Sequence, residues 1–413
     1  MEENIMDGRI IKEDGRIIKE DIAKRLDNRL KSEILRKCIY RDYCISDLSK
    51  ILGASIPTVT KNLMELIYDG FMTDLGKQDT SGGRRPSIYG LDGRAGFLVG
   101  IDVMREQYNM VVTDFRGKII DTFEWCKYDL KDRLESVRGF CATIRATLEE
   151  HGYVSEEILA YGIDLTGRVN PTTGISYSYD LGDLPIKDVL EEELGAICHI
   201  DNDSRAMTFG EWMCGGLAGK VKDMIFINVG WGLGMGMILD GSIYCGKSGF
   251  SGEIGHFPFL DNNQICQCGK IGCLETGCSG SAILGEVKEA LNAGRASMLS
   301  AKYKAGEELT FDDLIEAIKA EDVVAIEKTE EGGQILGRAI AGLINIFNPE
   351  LVVIGGRLSA AKGYIMDPIM SGIKRYALNL ITRDTKVCYS SLMDKAGPMG
   401  AAMEARSSLL GIL

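Results

Sequence analysis

The sequence predicts an α/β protein with a small winged helix-turn-helix head in front of a large body. Three observations carry that expectation. Residues 27–92 hold three helical patterns followed by a hairpin pattern. FLVGIDV, YNMVVTDF and KIIDTFEW then read as three short apolar strands separated by turns, and helical and strand patterns alternate after them. The strand-turn-strand layout returns in MIFINVGWGLGMGMILDGSIY, with Asp240 and Gly241 holding the places of Asp114 and Gly117.

The head is built in order. In 27–40, Leu30, Ile34, Leu35, Cys38 and Ile39 share one helical face. Ser46 is a candidate cap for a short helix carrying Leu48, Ile51 and Leu52, which Gly53 ends. Ser55 can cap a third helix with Val59, Leu63, Leu66 and Ile67 inward and Thr58, Thr60 and Lys61 outward near its start. Two helices joined by a tight turn, the second beginning with small polar residues, form a helix-turn-helix pattern. Gly70 ends the third helix and FMTDLG starts a strand. Gly82 and Gly83 permit a turn there, and Arg84, Arg85 and Pro86 make a basic tip suited to a narrow minor groove. Ser55, Thr58, Thr60, Lys61, Arg84 and Arg85 are therefore the candidate DNA contacts.

Charge separates head from body. The chain of 413 residues has a net charge of −13, which opposes non-specific nucleic-acid binding by the whole molecule. Residues 22–90 hold 12 Lys+Arg and 8 Asp+Glu, or +4, whereas residues 1–21 hold 4 and 7, or −3. The remainder carries −13 − 4 + 3 = −14. DNA binding is thus expected to be confined to the head. DGRIIKE occurs at 7–13 and again at 14–20, as expected of a tolerant terminal arm spanning 1–24. The head spans 25–92 and the body 95–413. The opening residues lack a signal pattern and no apolar run reaches about 18 residues, so a cytoplasmic chain without a membrane span is expected.

In that compartment the 12 cysteines are expected as thiols or metal ligands. His256 is followed by Cys266, Cys268 and Cys273. One imidazole and three thiolates suit tetrahedral Zn²⁺, and soft sulfur ligands disfavour Mg²⁺ and Ca²⁺. Gly269 and Gly272 let the short loop fold around the ion. Four protein ligands leave no open position, so the zinc is expected to be structural.

GEIGHFPFLDNNQICQCGKIGCLE, which contains that cluster, resembles the signature of the ROK family of repressors, open reading frames and kinases. The SGGRRP wing, the IDND segment, GWGLGMGMILDG and NIFNPELVVIGGRLS follow in the family's order. The resemblance runs from about residue 30 to the end. It implies the two-lobed, actin-like (ribonuclease H-like) sugar-kinase fold, with lobe one at about 95–200 plus the C-terminal helix, lobe two at about 201–395, and sugar in the cleft between them. It further implies that Asn202, Asp203, Glu253, His256 and Glu275 contact the sugar, Asp203 standing where the kinases carry their general base. Carboxylates and amides suit vicinal hydroxyls, and the zinc would hold the loop while His256 turns its second nitrogen to the sugar.

The phosphate side departs from the family. Kinases resemble D-x-G-G-T at the first strand turn, where this chain reads Asp102-Val103-Met104-Arg105. Their second segment resembles G-T-G-x-G-G-G, where this chain carries Trp231 and Met235. Side chains at those places keep phosphates from the backbone, which argues against ATP as a cofactor, although the Gly355-Gly356 turn that meets adenosine in kinases remains. The sequence is therefore expected to encode a non-catalytic, sugar-responsive repressor of carbohydrate-utilisation genes. Its expected partners are operator DNA, a sugar or sugar derivative, and further copies of itself in a homodimer or homotetramer. The alternative is a sugar kinase with a fused DNA-binding head.

Overall fold

A computed structural model describes residues 28–77, 86–128, 130–131, 133–179, 181 and 184–412. The DGRIIKE repeat and the wing tip with Arg84 and Arg85 lie outside the described residues.

The head opens with α1 (Arg29–Cys38), which buries Ile34, Leu35 and Cys38. Asn28 caps it, accepting from the Leu30 N–H at 2.9 Å and donating to Asn62 Oδ1 at 2.8 Å. The second helix, α2 (Ile45–Leu52), starts two residues earlier than the sequence suggested. Cys44 occupies the cap position and Ser46 Oγ lies 3.0 Å from Cys44 Sγ, so Ser46 is not the cap. Leu48 is buried there, whereas Ile51 faces outward, because eight residues offer too short a stripe to bury every apolar side chain. Gly53 ends α2 in the left-handed region at φ 61°. Helix α3 (Ile56–Tyr68) is capped by Ser55, whose Oγ accepts from the Thr58 N–H, and buries Val59, Leu63 and Leu66. The expected inward Ile67 is only half-buried. Strands β1 (Met72–Lys77) and β2 (Ser87–Leu91) pair antiparallel as the wing.

The chain divides into two compact units, Met1–Gly219 with Lys395–Leu413, and Lys220–Asp394. The first unit reaches Gly219 for a packing reason. Residues 203–214 form a helix that lies along the C-terminal helix of the first unit.

Besides the head, the first unit holds β3 (Phe97–Val103), β4 (Gln107–Asp114), β5 (Ile119–Lys127), α4 (Leu134–Glu150) and β6 (Ile158–Leu165). A two-residue ribbon, β7 (Val169–Asn170) and β8 (Ile175–Ser176), precedes α5 (Ile186–Leu194), β9 (Ile197–Asn202) and α6 (Asp203–Cys214). The sheet order is β5-β4-β3-β6-β9. Strands β3 to β5 form an antiparallel meander, whereas β6 and β9 join parallel through helical crossovers. Phe140, Ile144 and Leu148 of α4 and Val189 and Leu190 of α5 share a core with Val99, Ile101 and Ile163.

The second unit holds β10 (Met224–Val229), β11 (Leu233–Leu239), β12 (Ser242–Ile243), α7 (Glu275–Cys278), α8 (Gly280–Asn292) and α9 (Ser300–Lys304). It continues with α10 (Phe311–Lys319), α11 (Val323–Phe347), β13 (Leu351–Gly355), α12 (Gly363–Tyr376) and β14 (Lys386–Tyr389). Its order, β12-β11-β10-β13-β14, repeats that of the first sheet strand for strand. The duplication suggested by Asp114/Gly117 and Asp240/Gly241 is thus matched by topology, and both glycines adopt positive φ, 95° and 72°.

The last helix, α13 (Ala396–Leu409), returns to the first unit and packs on β3, β6, β9 and α6. Small residues permit the approach. A Cβ at Gly100 would stand 1.8 Å from the Pro398 carbonyl, one at Gly162 1.8 Å from the Ala401 carbonyl, and one at Gly400 1.7 Å from the Ala206 carbonyl. Among the described residues no helix is long and apolar enough to cross a membrane.

Candidate functional site

In the second unit, the chain from Glu253 to Cys278 turns back on itself through two single-residue bridges, Pro258 to Cys273 and Ile265 to Ile271. The turn closes by bonds from the Cys266 N–H to the Lys270 carbonyl (2.8 Å) and from the Gly269 N–H to the Cys266 carbonyl (2.9 Å). Gly269 and Gly272 take φ 81° and 75°, and a Cβ at Gly272 would meet the Leu260 carbonyl at 2.6 Å. This brings one ligand atom each from His256, Cys266, Cys268 and Cys273 within 4.8 Å of one another. The spacing passes a metric test. Zn–S near 2.3 Å and Zn–N near 2.05 Å, at tetrahedral angles, require sulfurs about 3.8 Å apart and a nitrogen about 3.6 Å from sulfur. Cys268 Sγ and Cys273 Sγ lie 3.6 Å apart, and His256 Nδ1 lies 3.5 Å from Cys266 Sγ. The four groups can hold a metal.

Two carboxylates flank the cluster. His256 Nε2, on the side of the ring away from Cys266, lies 3.7 Å from Glu253 Oε2. Glu275, the first residue of α7, accepts from the Cys266 thiol at 2.8 Å and approaches His256 Nδ1 at 3.5 Å. The sequence separated Glu275 from the metal cluster by role; the structure puts it in contact with the Cys266 thiol of that cluster.

In the first unit, Asn202 ends β9 and caps α6. Its Oδ1 accepts from the Ser204 and Arg205 N–H groups, and its Nδ2 donates to the Gly167 carbonyl at 2.7 Å and to Asp203 Oδ1 at 2.8 Å. Asp203 Oδ1 also accepts from the Ser204 N–H. Burial and the Asp102 carboxylate push Asp203 up to about 7, against the pull of its hydrogen bonds from Ser204 and Asn202. A group so poised suits both proton transfer and hydrogen bonding to hydroxyls near neutrality.

Sequence reading placed Asp102 only in the phosphate-side turn and missed the carboxylate row to which it belongs. Asp102, Asp164 and Asp201 stand in register at the ends of β3, β6 and β9. Each follows an isoleucine, in GIDV, GIDL and HIDN, and that repeated strand ending was a legible signal. Burial first, then Asp102, pushes Asp164 well above the carboxylate range. Asp201 pairs with the buried Arg205. Glu404 of α13 is 1% exposed, and burial together with Asp201 raises it strongly. His199, held near 4 by burial, shares a 4.8 Å cluster with Asp201 and Glu404. The Arg205 guanidinium on Asp201 already supplies the positive charge that a cation would bring.

The phosphate-side departures have a structural counterpart. The Met104 N–H donates to the Gln107 carbonyl at 2.9 Å and closes the β3–β4 turn, so that amide is committed within the chain. Trp231, 42% exposed, makes an edge-to-face contact with Phe311, and Arg357 stacks over Phe311 at 5.3 Å from its ring centre. The Gly230 and Trp231 carbonyls accept from the Gly280 and Ser281 N–H groups.

On the head, Ser55, Thr58 and Lys61 are exposed and Thr60 is half-buried. Ser55 Oγ and Thr58 Oγ1 lie 2.7 Å apart, and Thr60 Oγ1 donates to the Ile56 carbonyl. The wing strands flank the undescribed tip.

A winged head followed by two sheets of identical order, with a His-Cys₃ cluster, defines an actin-like sugar-kinase body joined to a helix-turn-helix domain. Residues 98–407 match the ROK family, and the chain belongs to that family. It is 28% identical over 386 residues to a xylose repressor of Caldicellulosiruptor bescii, covering 92% of this chain and 95% of that one. It is 31% identical over 308 residues to a glucokinase of Halalkalibacterium halodurans, covering 74% and 93%. The crystal structure of a ROK family transcriptional regulator, a homologue of the Escherichia coli MLC protein, matches with a TM-score of 0.76 at 24% identity, over 96% and 98% of the two chains.

Proposed function

We propose that this chain is a sugar-responsive transcriptional repressor of carbohydrate-utilisation genes. One observation carries the reading: the helix-turn-helix head is joined to a sugar-kinase body whose Asn202-Asp203 pair is intact while its phosphate turns are altered. The Met104 amide is spent on Gln107, and Trp231 replaces a small residue in the glycine segment. The coverage of the xylose repressor along nearly its whole length supports the same reading.

The proposed sugar contacts are Asn202, Asp203, Glu253, His256 and Glu275. The proposed DNA contacts are Ser55, Thr58, Thr60 and Lys61 in the major groove and Arg84 or Arg85 in the minor groove. A homodimer or homotetramer would place two heads on half-sites about 34–36 Å apart. His256, Cys266, Cys268 and Cys273 would hold a structural zinc that fixes the loop carrying Glu253 and Glu275. ATP has no assigned role, and the site of action is the cytoplasm.

The test is an operator gel shift titrated with sugars, on DNA selected from a random library by the full chain. Release, or tighter retention, by one sugar supports the reading. A sugar that binds tightly and leaves operator affinity unchanged overturns it. The second reading, a kinase with a DNA-binding head, draws on the glucokinase relative and on an Asp203 placed near neutrality. A coupled ATP-turnover assay over the same sugars decides between them, and robust phosphorylation selects the kinase.

A further inference from the structure

We infer that α6 and α13 form a spine that carries the state of the sugar-contacting Asn202-Asp203 pair to the DNA-binding head, through an aromatic joint between Trp212 and Tyr40. The inference rests on the proposed sugar site and names how that site would regulate DNA binding.

The geometry supplies each link within the first unit. Asn202 and Asp203 begin α6, and Trp212 lies nine residues on, about 14 Å along a rigid helix. Trp212 is 3% exposed and meets Tyr40, just past the end of α1, in an edge-to-face contact with ring centres 5.6 Å apart. Tyr40 is rigidly tied to the proposed reading helix. Lys31 of α1 reaches Glu65 at 3.0 Å and Asp69 at 3.3 Å, and Asn28 reaches Asn62, so α1 and α3 move as one body.

A second support rests on the same spine. Arg406 of α13 donates to the Phe115 and Arg116 carbonyls at 3.3 and 2.9 Å. Arg116 in turn grips both oxygens of Asp42 (2.9 and 3.0 Å) and donates to the Leu91 carbonyl (3.1 Å), while Phe115 packs on Phe71 of the head. Helices α6 and α13 pack backbone to backbone. A Cβ at Gly210 would stand 2.2 Å from the Ala396 carbonyl, and one at Gly400 1.7 Å from the Ala206 carbonyl. Two contacts on one side of the head thus stand on a unit whose far end is the Asn202-Asp203 cap. A ligand that favours one setting of that cap shifts the population of head orientations by its differential affinity, and by linkage the operator shifts sugar affinity equally. Tyr40 and Trp212 are positioning residues in this account.

The test uses the full chain, its selected operator duplex, and D-xylose and D-glucose, the sugars of the xylose repressor and glucokinase relatives, as probes. Anisotropy titration of wild type should show operator affinity changing about tenfold with the sugar that binds. Tyr40→Ala, at a position 37% exposed and so tolerant of truncation, should keep both operator and sugar binding while the change falls within about twofold. Tyr40→Phe, which retains the ring edge, should keep the full response, and Trp212→Phe should weaken it. A full response in Tyr40→Ala overturns the joint and leaves the repressor reading standing. If no probe alters wild-type operator binding, hydrogen exchange decides the joint, and the repressor reading falls only where a probe that binds tightly leaves operator affinity unchanged. Operator must then slow amide exchange across residues 205–214 in wild type and not in Tyr40→Ala; unchanged exchange in wild type overturns it.

Discussion

Gly400→Ala probes the spine directly, because the added methyl has nowhere to go. Its carbon would sit 1.7 Å from the Ala206 carbonyl oxygen and 2.4 Å from its carbon. Non-bonded contact needs about 3.5 Å, so the helices must part by roughly 1.5–2 Å. The obstacle is backbone, which no rotamer change relieves. Overpacking costs about 1–3 kcal/mol and more where side chains cannot yield, against a gain of about 1 kcal/mol in helix propensity. A net loss of about 2 kcal/mol is expected, or roughly 4–8 °C in the transition of a unit this size. Gly342→Ala, inside α11 with nothing within 4 Å of the new carbon, is the opposite case and should gain about 0.5–1 kcal/mol. Calorimetry should therefore be paired with hydrogen exchange, since a chain of two units need not unfold in one step. Protection should fall at β3 and β6 in Gly400→Ala while β10 and β13 are spared. Wild-type stability in Gly400→Ala, or an equal loss in both variants, would refute the packing argument.

Metal analysis should find about one zinc per chain, falling in Cys268→Ser, and chelation should weaken the sugar response before it affects operator binding. Chelated protein that loses operator binding yet binds sugar normally would show that the cluster does not support the pocket. Asp203 has a folded value near 7, above its ordinary carboxylate value. Its contribution to the stability of the first unit is therefore full at acid pH and lost as pH rises through about 7. Asp203→Asn should flatten that part of a denaturation-versus-pH series, and an unchanged profile would count against the assignment. Lys61→Ala should lower operator affinity and reduce the salt slope of binding by about one, as measured by titration at several ionic strengths. An unaltered slope would remove Lys61 from the phosphate contacts.

Local signals were legible because they act over a few residues. Ser55 capped α3 and Gly53 ended α2 as their chemistry required. Ser46 did not cap, because a cap depends on where the helix starts, and the Tyr43–Tyr89 bridge to the wing fixes the chain just ahead of Cys44. The wing tip arginines remain a sequence argument, since they fall outside the described residues.

By itself the sequence determined the strand meander, its repetition, the head's helices, and a His-Cys₃ set close enough along the chain for a short glycine-hinged loop to gather. It also named the Asn202-Asp203 pair. Tertiary structure alone decided what that pair feels and what it touches. Asp203 is poised near neutrality by burial and by Asp102 from another strand. Glu404 and Arg406, polar residues in a small-residue helix, are buried only because that helix returns to the first sheet. Arg116 joins the head at Asp42, 74 positions away, and is itself held by Arg406, 290 positions away. Periodicity and capping are properties of neighbours along the chain. Burial, carboxylate repulsion and close backbone approach are properties of neighbours in space, which arise only once the fold has brought them together.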